Sequence, residues 1–229
     1  MDCRYKYERP ALAINCVIFG FDGVKLKILL IKRGIEPFKN QWALPGGFVN
    51  VNETIDEAAQ RELKEETGVD HVFMEQLYTF GSIDRDPRER VVSVAYFALV
   101  RISDYKLIAG SDASNAQWFT MNSIPSLAFD HSVILEMAIN RIKGKIRYQP
   151  IGFELLDDKF TIPQLQAIYE SILERKIDRR NFYNKIKKTG LLIFLDEKQQ
   201  KAAHRAATLV TFDKDKYLKL KEQGYAFEI

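Results

Sequence analysis

The stretch whose reading decides the fold is Gly47–Val69, GFVNVNETIDEAAQRELKEETGV. Its second half reads as a helix over Thr54–Thr67. Thr54 with Glu57 three residues on is a capping box, and Gly68 stands where a helix stops. Within that helix Glu62, Glu65 and Glu66 fall at i, i+3 and i+4, so all three project from one side. Like charges at this spacing cost roughly a few tenths of a kcal/mol per pair. A divalent cation reverses the sign of that cost, and a cluster of hard oxygens suits Mg²⁺ or Mn²⁺. Such ions bridge phosphate oxygens and activate water. Pro45-Gly46-Gly47 leads into the helix and can bring a backbone carbonyl to the metal. Arg61 can pair with Glu57 or Glu65. A bare E-x-x-E-E is most often a solvated helix face. The two glycines, Arg61 and Glu53, spread over 23 residues, argue for a metal site instead.

Working outward, Ala11–Phe21 and Val24–Lys32 are β-rich runs on either side of Asp22-Gly23, a hairpin signal. Val72–Phe80, Val91–Arg101 and Gln117–Thr120 read as strands, with a polar loop over Gly81–Arg90. Asp130–Lys143 reads as a helix, with Val133, Ile134, Met137, Ala138 and Ile142 at helical spacing. Gly144–Leu155 has no clear period and is placed as a linker. Beyond it Thr161 and Gln164 form a second capping box, ahead of a stripe of Leu165, Ile168, Tyr169, Ile172 and Leu173. Asp178 caps a further helix over Arg179–Thr189, closed by Gly190. Leu191–Leu195 and Ala207–Phe212 read as two strands around a polar tip.

The 229 residues are 46% hydrophobic and 28% charged, enough for a core and too mixed for disorder. No apolar run reaches membrane-spanning length, and the first residues lack the apolar segment of a secretory signal. Cys3 and Cys16 have no partner at metal-ligand spacing and are expected to be reduced thiols of a cytoplasmic protein. Net charge is +3, unevenly spread. Residues 1–150 carry 19 basic and 19 acidic side chains, whereas 172–205 carry 10 against 4, a net +6. That surplus points to a polyanionic partner.

Two helices joined by a short turn and followed by a basic hairpin read as a winged helix. Its second helix turns Phe182 and Ile186 inward and leaves Arg179, Arg180, Asn184, Lys185, Lys187 and Lys188 outward. Such a helix can enter the major groove of double-stranded DNA, where Arg and Asn read base edges and Lys meets phosphates. The hairpin tip, with Lys198, Gln199, Gln200, Lys201, His204 and Arg205, is expected on the backbone or minor groove.

The segment Gly47–Val69 resembles the Nudix box, G-x5-E-x7-R-E-U-x-E-E-x-G-U, at every defined position, with Leu63 and Val69 as U. The preceding hairpin, Trp42-Ala43-Leu44-Pro45-Gly46-Gly47 and Trp118-Phe119 agree with it. The resemblance implies an α/β/α sandwich around a mixed sheet, with its core over about 9–145 in a domain 1–149. It makes Glu62, Glu65 and Glu66 metal ligands, Gly47 a carbonyl ligand and Glu53 the residue that orients the loop. Arg61 joins the catalytic set, and the family reaction is hydrolysis of a diphosphate linked to another moiety. General-base candidates are Asp84, Asp86 and Glu89. The stretch Gly81–Tyr96 is similar to ADP-ribose pyrophosphatases and related sensors, so Arg85, Asp86, Arg88 and Arg90 are expected to grip a nucleotide sugar.

With a winged helix over 150–229, nearly the whole chain resembles the Nudix-related transcriptional regulators. Asp178-Arg179-Arg180-Asn181-Phe182 and the run to Thr189-Gly190-Leu191 are similar to their recognition helix. The resemblance implies a homodimer on operator DNA whose Nudix domain binds a nucleotide-sugar or sugar effector. Many such regulators have lost box residues; here the box is intact, so an active Nudix hydrolase is the alternative. A third possibility is a C-terminal part that only dimerises.

Overall fold

The computed structural model describes residues 8–110, 112–199 and 207–228. The chain forms two compact units. One holds the residues up to Phe19, Lys27–Ala98 and Ser103–Ala138; the other holds Gly20–Leu26, Leu99–Ile102 and the residues from Ile139 on.

The first unit is built on a mixed sheet of β1 (Ala11–Phe21), β2 (Leu26–Arg33), β3 (Trp42–Ala43), β4 (Glu75–Phe80), β5 (Val91–Arg101) and β6 (Ala113–Thr120). The order is β3-β2-β1-β5-β4, with β6 also pairing β2. β1 is buried without interruption from Ile14 to its end, and β5 nearly so, as expected of central strands covered on both faces. β4 exposes alternate groups of residues and lies at the edge. β6 begins four residues earlier than Gln117, pairing Lys27–Arg33 of β2 antiparallel. The Asp22-Gly23 turn is present: Asp22 Oδ1 accepts from the Val24 and Lys25 N–H groups at 2.9 and 2.8 Å.

Helix α1 spans Ile55–Thr67 with Thr54 as N-cap, both halves of the capping box formed, and Gly68 left-handed at the C-cap. Ala58, Ala59 and Leu63 give it an apolar buried face, and Glu66 lies on that same buried side. Helix α2 spans His131–Lys145.

In the second unit the segment placed as a linker is ordered structure. α2 continues to Lys145, and Ile151–Leu155 is a 3₁₀ helix with Ile151, Gly152 and Leu155 buried. Helix α3 (Ile162–Leu173) carries the second capping box, Thr161 with Gln164. Helix α4 (Arg179–Lys188) is capped by Asp178, whose Oδ1 accepts from the Asn181 N–H at 2.8 Å. The hairpin of β7 (Leu192–Lys198) and β8 (Thr208–Phe212) follows, with Phe194 opposite Val210. Helix α5 (Lys214–Glu222) was not foreseen from sequence. Leu165, Ile168, Tyr169, Ile172, Phe182, Ile186 and Val210 are fully or almost fully buried and form this unit's core. Tyr169 and Phe182 meet edge to face at 5.2 Å. Gly20–Leu26 belongs here through the Leu26 N–H, which donates to Ser171 Oγ at 2.8 Å. Arg101, from Leu99–Ile102, pairs with Asp157 at 3.6 Å. Among the described residues no helix is long and apolar enough to cross a membrane.

Candidate ligand pocket and nucleic-acid interface

A cavity of about 340 Å³ opens in the first unit between α1, the Leu44–Phe48 loop, the 81–90 loop and the start of α2. Glu62, Glu65, Glu66, Arg61, Gly46 and Gly47 line it, as do Arg85, Asp86 and Arg88. Arg61 is its hub. Its Nε and Nη2 donate to the two oxygens of Glu53 at 2.9 and 2.7 Å, and Nη1 donates to Glu62 at 2.7 Å and Glu65 at 3.2 Å. Glu57 is not its partner, because that carboxylate is spent on the Thr54 cap. Glu53 also accepts from the Asn50 backbone and side chain, and the Arg61 bonds hold its carboxyl down at about 2.

The three glutamates do not converge on one point. Among the described residues no group of three or more His, Cys, Asp or Glu is close enough to hold an ion. The reason is Arg61, which already neutralises Glu62 and Glu65. Each glutamate nevertheless spends only one oxygen: Glu62 Oε1 and Glu65 Oε2 on Arg61, Glu66 Oε2 on the Gly46 N–H at 2.8 Å. The donor set fits a hard cation in two further ways. Glu66 is buried in a helix face, and that burial, seconded by Glu62 and only partly offset by the Gly46 N–H, pushes its pKa up to about 8. Burial raises Glu62 as well. At Gly47 a Cβ would overlap the Glu62 carboxylate, so only glycine leaves that carboxylate its place beside the loop. The Gly47 carbonyl accepts from the Ile14 N–H at 2.9 Å and retains a second lone pair.

The loop arginines divide by role. Arg85 is buried and bound through Nε and Nη2 to Asp130 at 3.0 and 2.8 Å. Asp86 is buried too. Burial raises its pKa, but two hydrogen bonds from the Arg88 guanidinium, at 3.0 and 2.8 Å, outweigh that and hold it below the usual carboxylate range. Arg90 is not among the lining residues. It donates to the carbonyls of Gly81, Ser82 and Val91 and so closes the base of the loop rather than facing a ligand. Asp84 and Glu89 are exposed and outside the cavity, leaving Asp86 as the one base candidate that lines it.

Sequence reasoning missed Asn15, Arg33, Asp112, Phe129 and His131, all of which line the cavity. His131 accepts the Leu44 N–H at Nδ1 (3.0 Å), so that nitrogen is unprotonated, and its Nε2 faces the Asn15 amide at 3.2 Å. Burial, helped by Arg85 and Arg33, holds its pKa down at about 3, and the ring stays neutral. Asn15 is fixed in turn by Ser93 Oγ at 2.7 Å.

These two groups give stability opposite pH dependences. Glu66, raised from 4.5 to about 8, contributes stability below pH 4.5 that is lost as pH rises to 8. His131, lowered from 6.5 to about 3, contributes stability above pH 6.5 that is lost as pH falls to 3. Each is on the order of a few kcal/mol. Metal-free protein is therefore expected to be most resistant to urea on a plateau between pH 4.5 and 6.5, and to weaken on both sides. A stability that climbs steadily from pH 6.5 to 8.5 would contradict this assignment.

In the second unit α4 buries Phe182 and Ile186 and exposes Arg179, Arg180, Asn184, Lys185, Lys187 and Lys188. None of these cations forms an ion pair among the described residues. Three acids of this unit are engaged with other lysines: Glu174 with Lys143 at 2.6 Å, Glu197 with Lys159 at 2.8 Å and Glu170 with Lys176 at 3.0 Å. Arg179 and Arg180 border a groove of about 490 Å³ with Ile162, Tyr183 and Phe194. Lys187 Nζ lies 5.9 Å above the Phe194 ring. Lys198 ends β7 and is exposed. Lys201, Arg205, Gln200 and His204 lie outside the described residues.

Comparison with known proteins agrees with this two-part reading. The NUDIX domain family matches residues 9–137, and the NrtR DNA-binding winged helix domain matches 152–212. The ADPR responsive transcriptional repressor NtrR of Acinetobacter baylyi is 35% identical over 210 residues, covering 90% of this chain and 83% of that protein. The crystal structure of Shewanella oneidensis NrtR complexed with a 27mer DNA is 31% identical, with a TM-score of 0.74 over 94% of this chain and 97% of that one. The NUDIX domain of the same S. oneidensis protein, crystallised with ADP ribose, is 33% identical with a TM-score of 0.54, over 59% of this chain and 90% of that one.

Proposed function

Since the chain belongs to the Nudix family and, over nine-tenths of its length, to the NrtR-type regulators within it, we propose that it is a transcriptional repressor whose hold on operator DNA is set by ADP-ribose. The observation that carries this is α4: a row of exposed cations that form no ion pair among the described residues, in the same chain as an acid- and arginine-lined cavity. Arg179, Arg180 and Asn184 are the base-edge candidates, and Lys185, Lys187 and Lys188 the phosphate contacts. Lys201 and Arg205, which lie in the sequence between β7 and β8, would extend the contact. As in other winged-helix regulators, a homodimer on a two-fold operator is part of the reading.

In the cavity Arg85, Asp86 and Arg88 support the ligand end; Arg88 is half-exposed and paired with Asp86, so a diphosphate would compete with that carboxylate for its guanidinium. Glu62, Glu65 and Glu66 with the Gly47 carbonyl would hold Mg²⁺ or Mn²⁺, which would screen the diphosphate's charge. The cation would compete with Arg61 for Glu62 and Glu65, while Glu53 is the bidentate partner that holds Arg61 in place.

Fluorescence anisotropy with duplex DNA from upstream of the protein's own gene tests the proposal. Binding is expected to be salt-sensitive, with a slope of about −0.9 per phosphate neutralised. Saturating ADP-ribose is expected to change the DNA affinity at least about 5-fold, and DNA must change the ADP-ribose affinity by the same factor. DNA affinity indifferent to ADP-ribose would overturn the proposal.

Hydrolysis of ADP-ribose is a second reading, favoured by the intact box. Against it stands the base: Asp86 lines the cavity but is bound to Arg88. If turnover is found with Mg²⁺, Glu62→Gln should abolish it.

A further inference from the structure

A seam of hydrogen bonds runs up to the loop that carries Gly46 and Gly47. Trp42 and Leu127 pair as a parallel bridge, and the Trp42 carbonyl accepts from the Ala128 N–H at 2.8 Å. Two residues on, a side chain takes over from the backbone: the Leu44 N–H donates to His131 Nδ1 at 3.0 Å. From Leu44 to Gly46 the chain has only two N–H groups to place, because Pro45 has none. His131 takes that of Leu44, and Glu66 Oε2 takes that of Gly46 at 2.8 Å. The loop carbonyls go to β1 instead, Pro45 to the Cys16 N–H at 2.8 Å and Gly47 to the Ile14 N–H at 2.9 Å. Cradled between β1 and His131, the loop sets Gly47 directly against the Glu62 carboxylate.

The imidazole suits this place. Nδ1 is an uncharged acceptor, whereas a carboxylate would add one more negative charge to a cavity already lined by Glu62, Glu65 and Glu66. With Nδ1 accepting, Nε2 carries the ring proton of the neutral form. Nε2 faces the Asn15 amide at 3.2 Å, and Ser93 Oγ holds that amide at 2.7 Å. The ring is thus oriented through its second nitrogen, and all three of these side chains are buried.

We infer that His131 is the positioning residue of the cation site: through Leu44 it fixes the loop so that the Gly46 N–H meets Glu66 and Gly47 lies against Glu62. It is not itself a ligand. This rests on the reading that Glu62, Glu65, Glu66 and the Gly47 carbonyl hold Mg²⁺ or Mn²⁺, and it adds the residue that sets their arrangement.

The test measures Mn²⁺ affinity of the full chain by electron paramagnetic resonance of the free ion, for the wild type, His131→Asn and His131→Gln. Asparagine places a polar atom where Nδ1 stands, and glutamine where Nε2 stands. The expected result is Mn²⁺ binding about 10-fold weaker in His131→Gln and within about 3-fold of wild type in His131→Asn. Metal-free protein labelled with ¹⁵N is expected to show one imidazole as the Nε2–H tautomer, with Nδ1 an acceptor, and to lose that signal in both variants. Equal loss of affinity in the two variants means that the ring only fills space and overturns the inference, as does unchanged affinity in both. Wild-type protein that binds no Mn²⁺ overturns the cation reading together with the inference. Should a variant fail to fold by circular dichroism, the wild-type tautomer decides: a proton on Nδ1 overturns the inference, because Nδ1 could not then accept from Leu44.

Discussion

Replacing Arg179 and Arg180 together by alanine is expected to weaken operator binding about 100-fold at physiological salt while leaving the fold intact. Both side chains are exposed at the first turn of α4 and border the groove beside the hairpin. Neither is in an ion pair among the described residues, so their removal leaves no buried charge behind. The helix keeps its Asp178 cap and its Phe182 and Ile186 anchors. An Arg that reads a base edge is worth about 1–3 kcal/mol, and one that meets a phosphate about 0.9 in the log–log salt slope. The melting temperature should move by less than about 2 °C, because surface changes away from special features stay within roughly half a kcal/mol. Anisotropy titrations across 50–300 mM salt separate the cases. A drop in affinity with an unchanged salt slope indicates base readout, and a slope lowered by about two indicates phosphate contact. Unchanged affinity would remove α4 from the interface.

Gly46→Ala is expected to be among the most damaging single changes in the first unit, at about 3 kcal/mol or more of stability. Gly46 has φ 153, and an added Cβ would overlap the Ile14 carbonyl oxygen and lie 3.0 Å from the Asn15 Cα. Those are backbone atoms of the central strand β1, so no side chain can rotate out of the way. The loop must shift instead. That shift takes the Gly46 N–H off the buried Glu66 and disturbs Leu44, whose N–H satisfies His131. A buried carboxyl group left without its hydrogen-bond donor costs about 1–3 kcal/mol beyond the steric term. Gly47→Ala is the matched control. Its Cβ would meet only the carboxylate end of Glu62, the far end of a flexible side chain, so the expected loss is about 1 kcal/mol or less. Urea titration of the two variants checks this. Equal losses would mean that the clash with β1 is relieved by movement.

What could be read from the sequence was local. The Thr54–Glu57 and Thr161–Gln164 boxes and the Asp178 cap each depend on residues three apart, and all three are formed as expected. Strands β1 and β5 announced themselves as long apolar runs. Helix α5 did not, because Lys214–Glu222 alternates charge with Tyr217, Leu218 and Leu220 and buries none of them. The Gly144–Leu155 segment looked like a connector because its buried aliphatic side chains, Ile146, Ile151 and Leu155, follow no single period. The cavity was half legible. Its acidic wall lies on one helix and could be read from spacing. Asn15, Arg33, Phe129 and His131 come from three separate stretches joined only by the sheet and α2, and nothing in their local sequence marks them. Arg61 was seen as a helix-surface partner of Glu57 or Glu65; its main tie, to Glu53, depends on how the loop after Gly47 folds back.

The hairpin turn grouped with the C-terminal helices has an evolutionary bearing. Gly20–Leu26 and Leu99–Ile102 are interleaved in the chain with segments of the other unit, so no single cut divides the two. A gene fusion that swapped only the last 80 or so residues for another head would remove Ser171, which satisfies the Leu26 amide, and Asp157, which pairs with Arg101. A head taken from another protein would therefore need a hydroxyl or other acceptor at the place of Ser171 before the β1–β2 turn could be kept as it is.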